Sequence, residues 1–439
     1  MKKSSSVRHT RAIQRDRSKR TLAAPPAEEV QARLTEIIHP ATLNQVAHFH
    51  QRGLRERTLT LPIMVGLVLS MIWRQIGGVS DLVRVVQTET VLWVPPLKIS
   101  QQALAARLAS LPAALFQGVW EQVLPELHRG WQQRERPLPP EIAWAQTRYR
   151  QVVACDGSTL DALVRKTGLL KELDQHPLAG KMTALLDLAS RLPTQLWYEA
   201  DAQTNDQQFW DRIVGALCAG TLLVFDLGYT NFSIFARLTR EQVTFITRAK
   251  KNLRFTVEQV VCRTADVHDQ IVWIGQGDDR QLVRLLEVLY RGTWYRYLSN
   301  ELDPTQLPAA YLVALYWQRW RIEDAYNIVK RLLGLAYFWC GAQNAVELQL
   351  WASWLLYAVL VDLTDQVAEA LRQPFAAISM EMVYRSLYFF AQAYHRGEAT
   401  DIATYFADLA KLFGLVKRKR PSRSRSPLPL PPLTTPGAP

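Results

Sequence analysis

From Glu28 to about Arg129, apolar side chains recur three and four positions apart with few β-branched runs, a pattern that predicts helices. Pro95-Pro96 interrupts it once, and Ser100 is placed to cap the helix that follows. The Pro- and Arg-rich stretch from Arg134 to Pro140 reads as a linker. At Gln151 the period changes. Val152 to Cys155 is a short apolar run that ends in Asp156-Gly157-Ser158, and Thr183 to Leu188, Gln195 to Ala200, Leu222 to Phe225 and Val243 to Thr247 are further short strands, with a helical stretch at Asp206 to Cys218. Strands apolar on both faces belong inside a sheet covered by helices, so the class is α/β. Over residues 252–300, segments such as Ile271-Val272-Trp273-Ile274 and Tyr295-Arg296-Tyr297 alternate with Gly, Asp and Arg, which predicts a small, mostly antiparallel β insertion. Pro308 to about Leu333 reads as one long helix, Val346 to Val361 as a second that is apolar nearly all round, and 367–413 as further helices.

Two apolar runs, Leu59 to Trp73 and Leu348 to Val361, are shorter than the ~20 residues needed to cross a bilayer and are expected as buried core helices. With 48% apolar and 21% charged residues, the 439-residue chain has ample material for a core and is neither disordered nor collagen-like. Four cysteines lie far apart with no C-x-x-C pair, which argues against a zinc ribbon or a disulfide framework and fits a reducing cytosol. The first twenty residues are basic and polar, without the apolar stretch of a signal peptide.

The net charge of +12 is concentrated at the ends. Eight Lys and Arg against Asp16 give residues 1–20 a charge of +7, and six Lys and Arg over 417–425 give +6, so the rest of the chain is close to −1. Residues 1–26 and 414–439 are therefore expected to be disordered basic arms, the second also Pro-rich, that bind phosphate backbones through counterion release. Solubility tails are the alternative.

Chemistry is suggested by three acidic positions. Asp156 and Asp226 each end an apolar strand with a glycine one or two residues on, and a carboxylate so held can be approached closely by a ligand. Singly, each reads better as a cap or turn residue. As a pair in one α/β layer they suggest a carboxylate site suited to Mg²⁺ or Mn²⁺. The third is Glu323. On a helix, Tyr316, Arg319, Glu323 and Lys330 fall within about 60° of one another, beside an apolar face of Leu315, Ile322, Ala325, Val329, Leu332 and Leu333. An amphipathic helix with an Arg319–Glu323 ion pair would explain the charges, but not the Tyr or the position after two strand-end aspartates.

The spacing Tyr316-x2-Arg319-x3-Glu323-x6-Lys330 resembles the Y-R-E-K signature of DDE transposases of the insertion-sequence-four family. The strands ending in Asp156 and Asp226 resemble those that carry the family's two aspartates, and the resemblance extends over about residues 148–362. It implies an RNase H-like catalytic domain at 148–362 with its β-rich insertion at about 252–300, preceded by a helical, DNA-end-binding domain at 27–140 and followed by a C-terminal helical region at 363–413 that pairs two subunits. Asp156, Asp226 and Glu323 would be the catalytic residues and the ligands of two Mg²⁺ or Mn²⁺ ions, with Asp324 the nearest substitute for Glu323. Tyr316, Arg319 and Lys330 would hold DNA phosphates, and Trp273 and Trp294 are candidates for base stacking. The implied activity is cleavage of the ends of an insertion sequence and their joining to target DNA. The implied partners are double-stranded DNA (terminal repeats and target) and a second copy of the chain, with no membrane, in a bacterial cytoplasm next to the nucleoid. A nuclease of the same fold without strand transfer, and an inactive transposase-derived DNA-binding protein, are the competing readings.

If the arms supply non-specific affinity, deleting residues 1–20 and 417–439 flattens the plot of log K against log salt by about 0.9 per lost phosphate contact. Specific binding to the element's ends persists, because base reading needs folded elements in a groove. Filter binding over a salt series with end-containing and random DNA checks this, and an unchanged slope identifies solubility tails.

Overall fold

The structure is a computed structural model that describes residues 28–54, 58–160, 180–335, 338–339, 342–417 and 428–433. The N-terminal arm and most of the basic cluster after Lys417 lie outside the described residues. Among the described residues seven helices come first: α1 Glu28–Asn44, α2 Val46–Gln51, α3 Leu61–Trp73, α4 Val79–Thr88, α5 Gln101–Ser110, α6 Ala113–Gln132 and α7 Pro140–Gln146. The expected cap is present, with Ser100 accepting from the Ala103 N–H at 3.1 Å. The sheet region follows, with β1 Gln151–Thr159, β2 Lys181–Asp187, β3 Pro193–Glu199, α8 Trp210–Ala216, β4 Thr221–Phe225, α9 Phe232–Arg240, β5 Thr244–Arg248, β6 Thr256–Arg263, β7 Val267–Ile274, β8 Gln281–Tyr290 and β9 Thr293–Ser299. Last are α10 Ala309–Gln318, α11 Trp320–Asn327, α12 Gln343–Ala370, α13 Met380–His395, α14 Ile402–Asp408 and α15 Ala410–Phe413.

The nine strands form one sheet in the order β3-β2-β1-β4-β5-β9-β8-β7-β6. β1 pairs antiparallel with β2 and parallel with β4, and β4 pairs parallel with β5. The segment expected as a mostly antiparallel β insertion is antiparallel throughout. Its last strand, β9, pairs with β5 through Ile246–Ser299 to Arg248–Tyr297, so it extends the central sheet. Local periodicity predicts strands but carries no information on which distant edge they join.

Alternation along β1 and β4 divides the core in two. Val152, Ala154, Leu222 and Val224 pack with the long helices, whereas Val153, Cys155, Leu223 and Phe225 pack with Trp210 of α8 and Phe235 of α9. On the first side α12 is the central element. It is long and apolar enough to cross a membrane, yet 89% of its most apolar window is buried inside the fold, packed against α3, α5, α6 and α14, as expected of a core helix.

Three further features depart from the sequence reading. α12 continues beyond Val361, because Asp362 and Asp365 are buried and paired. Arg134 holds Asp362 at 2.6 Å and Asp365 at 3.1 Å, and Arg136 holds Asp365 at 2.7 Å. The supposed linker is thus a clamp whose arginines find acids more than 220 residues away. Second, the helix from residue 309 is not continuous. It breaks at Arg319 between α10 and α11, then widens into a π turn at Ile328–Leu332, where the Leu333 N–H donates to Ile328 O. Third, the described parts of the C-terminal tail pack onto the body: Leu415 is fully buried, Val416 bridges to Ile378, and Leu428, Leu430 and Leu433 lie against the main core. Deleting residues 1–20 alone is therefore the cleaner version of the salt experiment.

Asp365→Ala leaves Arg134 and Arg136 short of a buried partner. It is expected to destabilise the fold by about 3–5 kcal/mol, the cost of breaking a buried ion pair from one side. A lower urea midpoint at unchanged slope measures this.

Candidate active site

β1 and β4 run in parallel register with Cys155 opposite Phe225, so Asp156 and Asp226 follow side by side. Asp226 leaves β4, but Asp156, expected at a strand end, lies inside β1, which continues to Thr159 because its pairing with β2 runs on through Asp156–Ala184. Asp156 follows Ala154 and Val152 onto the side of the sheet that carries α10 to α12. One of its oxygens, Oδ1, accepts from the Gly157 N–H at 2.8 Å. Asp226 caps the short turn after β4, its Oδ1 accepting from the Leu227 N–H at 2.6 Å. Gly157 is closely packed: a Cβ there would displace the Asp206 carboxylate and press on Tyr229 and Lys181. Lys181 and Asp206 form an ion pair of 2.7 Å at this point.

The broken helix lies across the end of β1. At the break, Arg319 directs Nη1 to Asp156 Oδ2 at 2.8 Å and Nη2 to Glu323 Oε1 at 2.7 Å. Strand-borne and helix-borne carboxylates therefore sit within the span of one guanidinium. Tyr326, buried on α11, donates to Asp156 O at 2.6 Å and accepts from the Ala184 N–H at 3.1 Å. Lys330, in the π turn, donates to Ser158 Oγ and Thr159 O, both at 2.6 Å. The end of β1 is thus clasped by three side chains of one helical segment.

Electrostatics follow from this crowding. Burial raises the Asp156 pKa to about 6, opposed by Arg319 and the Gly157 N–H and reinforced by the charges of Asp226 and Glu323. Burial works against the charge on Arg319, but Asp156, Tyr316, Asp226 and the hydrogen bond to Glu323 outweigh it and raise its pKa further. Tyr316 is buried, its ring edge-on to Tyr297 at 5.2 Å, and burial pushes its phenol up to about 12. All three carboxylates act on Arg319 or on one another, and Arg319 is a cation lodged among them.

The donor set suits a hard divalent cation, being carboxylate oxygens on one side of the sheet. In the present arrangement that role is taken by the guanidinium: among the described residues, no three His, Cys, Asp or Glu side chains group closely enough to hold a metal ion. Asp324, the substitute for Glu323, is paired with Arg321 at 3.3 Å. Tyr316, Arg319 and Lys330 do not form an open stripe. Tyr316 and Arg319 are each 5% exposed, and Lys330 is bonded to β1. Of the tryptophans named from the sequence, Trp273 donates to Glu258 at 2.8 Å under Arg280, whereas Trp294 is exposed and lies tilted against His268. Sequence reasoning misses Trp317 and Trp320, the exposed aromatics beside the site, of which Trp320 lies against Arg319. Their helical angles fall outside the apolar face, which is the signal that could identify them.

Comparison with known proteins points to a transposase. Residues 171–359 match the family of the transposase DDE domain, a span that holds Asp226 and Glu323 and starts beyond Asp156. The chain is also 26% identical over 276 residues, 60% of its length and 72% of the other's, to a Sinorhizobium fredii protein named Putative transposase y4zB. These similarities support a transposase with a DDE domain.

The raised Asp156 pKa has a stability consequence. Because the folded-state value of about 6 exceeds the ordinary value of 3.8, the metal-free protein loses stability as pH rises between them. Asp156→Asn carries no such charge. In chelator at pH above 6 it is expected to be more stable than the native protein by on the order of 2 kcal/mol, with the gap closing below that pH. Thermal unfolding of both proteins at acidic and slightly alkaline pH reads the difference.

Proposed function

We propose that this protein is a DNA transposase of the insertion-sequence-four type, which cuts the ends of its element and joins them to target DNA at Asp156, Asp226 and Glu323. The observation that carries the reading is the Arg319 fork, which gathers Asp156 and Glu323 from 167 positions apart beside Asp226 on the neighbouring strand. The order β3-β2-β1-β4-β5, three antiparallel strands then a parallel pair, supports an RNase H-like catalytic sheet.

Asp156, Asp226 and Glu323 would hold one or two Mg²⁺ or Mn²⁺ ions, which supply charge neutralisation and an activated oxygen for phosphoryl transfer. The remaining work belongs to the chain. Arg319 holds the carboxylates together against their mutual repulsion until a cation or a phosphate competes for them. Once released, its planar fork suits bidentate contact with a phosphate of the scissile strand, and Lys330 adds a point charge on the same helical segment. Tyr326 fixes the backbone at Asp156, so the carboxylate keeps its direction during that exchange. Trp317 and Trp320 offer exposed ring faces for unpaired bases next to the site. Two ends must meet for transposition, so we expect a homodimer in the DNA complex, with the helices of residues 28–129 reading the terminal repeat.

Incubating the full-length protein with DNA that carries the ends flanking its gene, with Mg²⁺ and with chelator, tests this reading. Metal-dependent cleavage at the ends together with joined products is the expected result. Cleavage without joining indicates a nuclease, and binding without cleavage an inactive descendant. Glu323→Gln is expected to remove cleavage and leave DNA affinity within about twofold, since it keeps size and hydrogen bonding while removing one ligand charge. Gel-shift and cleavage assays on the same preparation separate the two effects.

A further inference from the structure

On the far side of α11 from Arg319 lies a second basic site, independent of the transposase reading. A cavity of about 240 Å³ is bounded by the turn between β2 and β3, by α11, by the start of α13 and by the chain beyond α15. Arg191, Arg321 and Lys417 reach it from three separate segments. Arg191 is 5% exposed, and its Nη2 donates to Gln318 Oε1 at 3.2 Å, but its Nη1 is buried with no hydrogen-bond partner among the described residues. Its backbone adopts the left-handed conformation, φ 66°, and Tyr357 donates to its carbonyl at 3.0 Å, so the side chain is delivered to the cavity by a fixed turn. Arg321 shares Gln318 Oε1 at 3.1 Å and reaches Asp324 at 3.3 Å. Lys417 is exposed, its ammonium donating to Ala376 O at 3.1 Å.

The charges in this cavity are unbalanced. Glu381 is bound by Arg385 at 2.5 Å, which leaves Asp324 to face three cations. Burial first, and then Arg321, lower the Arg191 pKa to about 9. An unsatisfied buried N–H and mutually repelling cations are costs that a bound anion removes. The first residues of α13 and its cap, Ser379, Met380 and Glu381, line the same cavity, and a 16-residue helix adds the positive end of its dipole.

We infer that this cavity is a phosphate-binding pocket, taking a tetrahedral oxyanion between Arg191, Arg321, Lys417 and the N-terminus of α13. Donors arriving from several directions suit a tetrahedral anion better than a planar carboxylate. The phosphate is either one of the DNA backbone or a free oxyanion. Through Gln318 the pocket is joined to the break in the helix at Arg319, so its occupancy bears on the placement of that residue.

The test is thermal unfolding of the full-length protein with rising inorganic phosphate, chloride holding ionic strength constant. The native protein is expected to show a saturable rise in midpoint. Arg321→Gln and Lys417→Gln, both at positions with solvent exposure, weaken the apparent phosphate affinity by about tenfold each, the effect of one charged hydrogen bond. Asp324→Asn strengthens it, a direction that mere damage to the fold does not produce. Repeating the titration with saturating duplex DNA identifies the source: a suppressed response means that a backbone phosphate fills the pocket, and an additive one means a free oxyanion. The proposal is overturned if phosphate gives no saturable rise, or if the Arg321 and Lys417 variants titrate like the native protein.

Discussion

Everything at the centre of this molecule depends on keeping carboxylates together that repel one another. Asp156 and Asp226 are neighbours because β1 and β4 are parallel and in register, and Glu323 arrives on a helix laid over their ends. Without a counter-charge, crowding three such half-buried groups together would favour protonation or separation. Arg319 supplies that charge from within the same helical segment as Glu323. At Arg319 itself the backbone keeps helical dihedrals and tightens to bonds three residues apart, from Arg319 N–H to Tyr316 O and from Ile322 N–H to Arg319 O.

The surrounding structure holds that arrangement still. Tyr326 and Lys330 attach the helical segment to β1 by backbone contacts, so register between strand and helix does not rest on the ion pairs alone. α12 packs beneath, and the arginines before α7 fasten its far end at Asp362 and Asp365. At the other edge, Arg284 binds Asp269 through two nitrogens, at 2.8 and 2.6 Å, and bonds Leu307 O at 2.5 Å, just ahead of α10. A fully buried arginine thereby links the strands of residues 256–299 to the start of the helix that carries Arg319.

The sequence made local features legible and long-range ones opaque. The strand before Asp226 could be read because a short apolar run closed by Asp and a nearby Gly is the pattern of a buried strand meeting its turn, whereas the same pattern at Asp156 misplaced the end of β1, which pairing with β2 carries on to Thr159. The helix with Glu323 could be read from its periodicity. What Arg319 does could not. Its i,i+4 partner Glu323 was visible, but its second partner, Asp156, is 163 residues away, and a helical wheel cannot show it. For the same reason Tyr316 and Lys330 read as an open stripe, whereas packing against Tyr297 and a π turn onto β1 take them out of solvent. Arg134 and Arg136 had the composition of a linker, and only the fold brings them to buried acids. Arg191 gave no signal at all, since an arginine in a turn is ordinarily solvated.

The pairing of β9 with β5 has a mechanical meaning. Because β5 in turn pairs with β4, hydrogen bonds run without a gap from the outermost strand, β6, to the strand that ends at Asp226. A sheet is stiff along its ladder, and load applied at one edge is carried across it rather than absorbed by a hinge. A displacement of the strands of residues 256–299 would therefore be passed along the ladder to the strand that ends at Asp226, so the outer strands and the carboxylates move as one body.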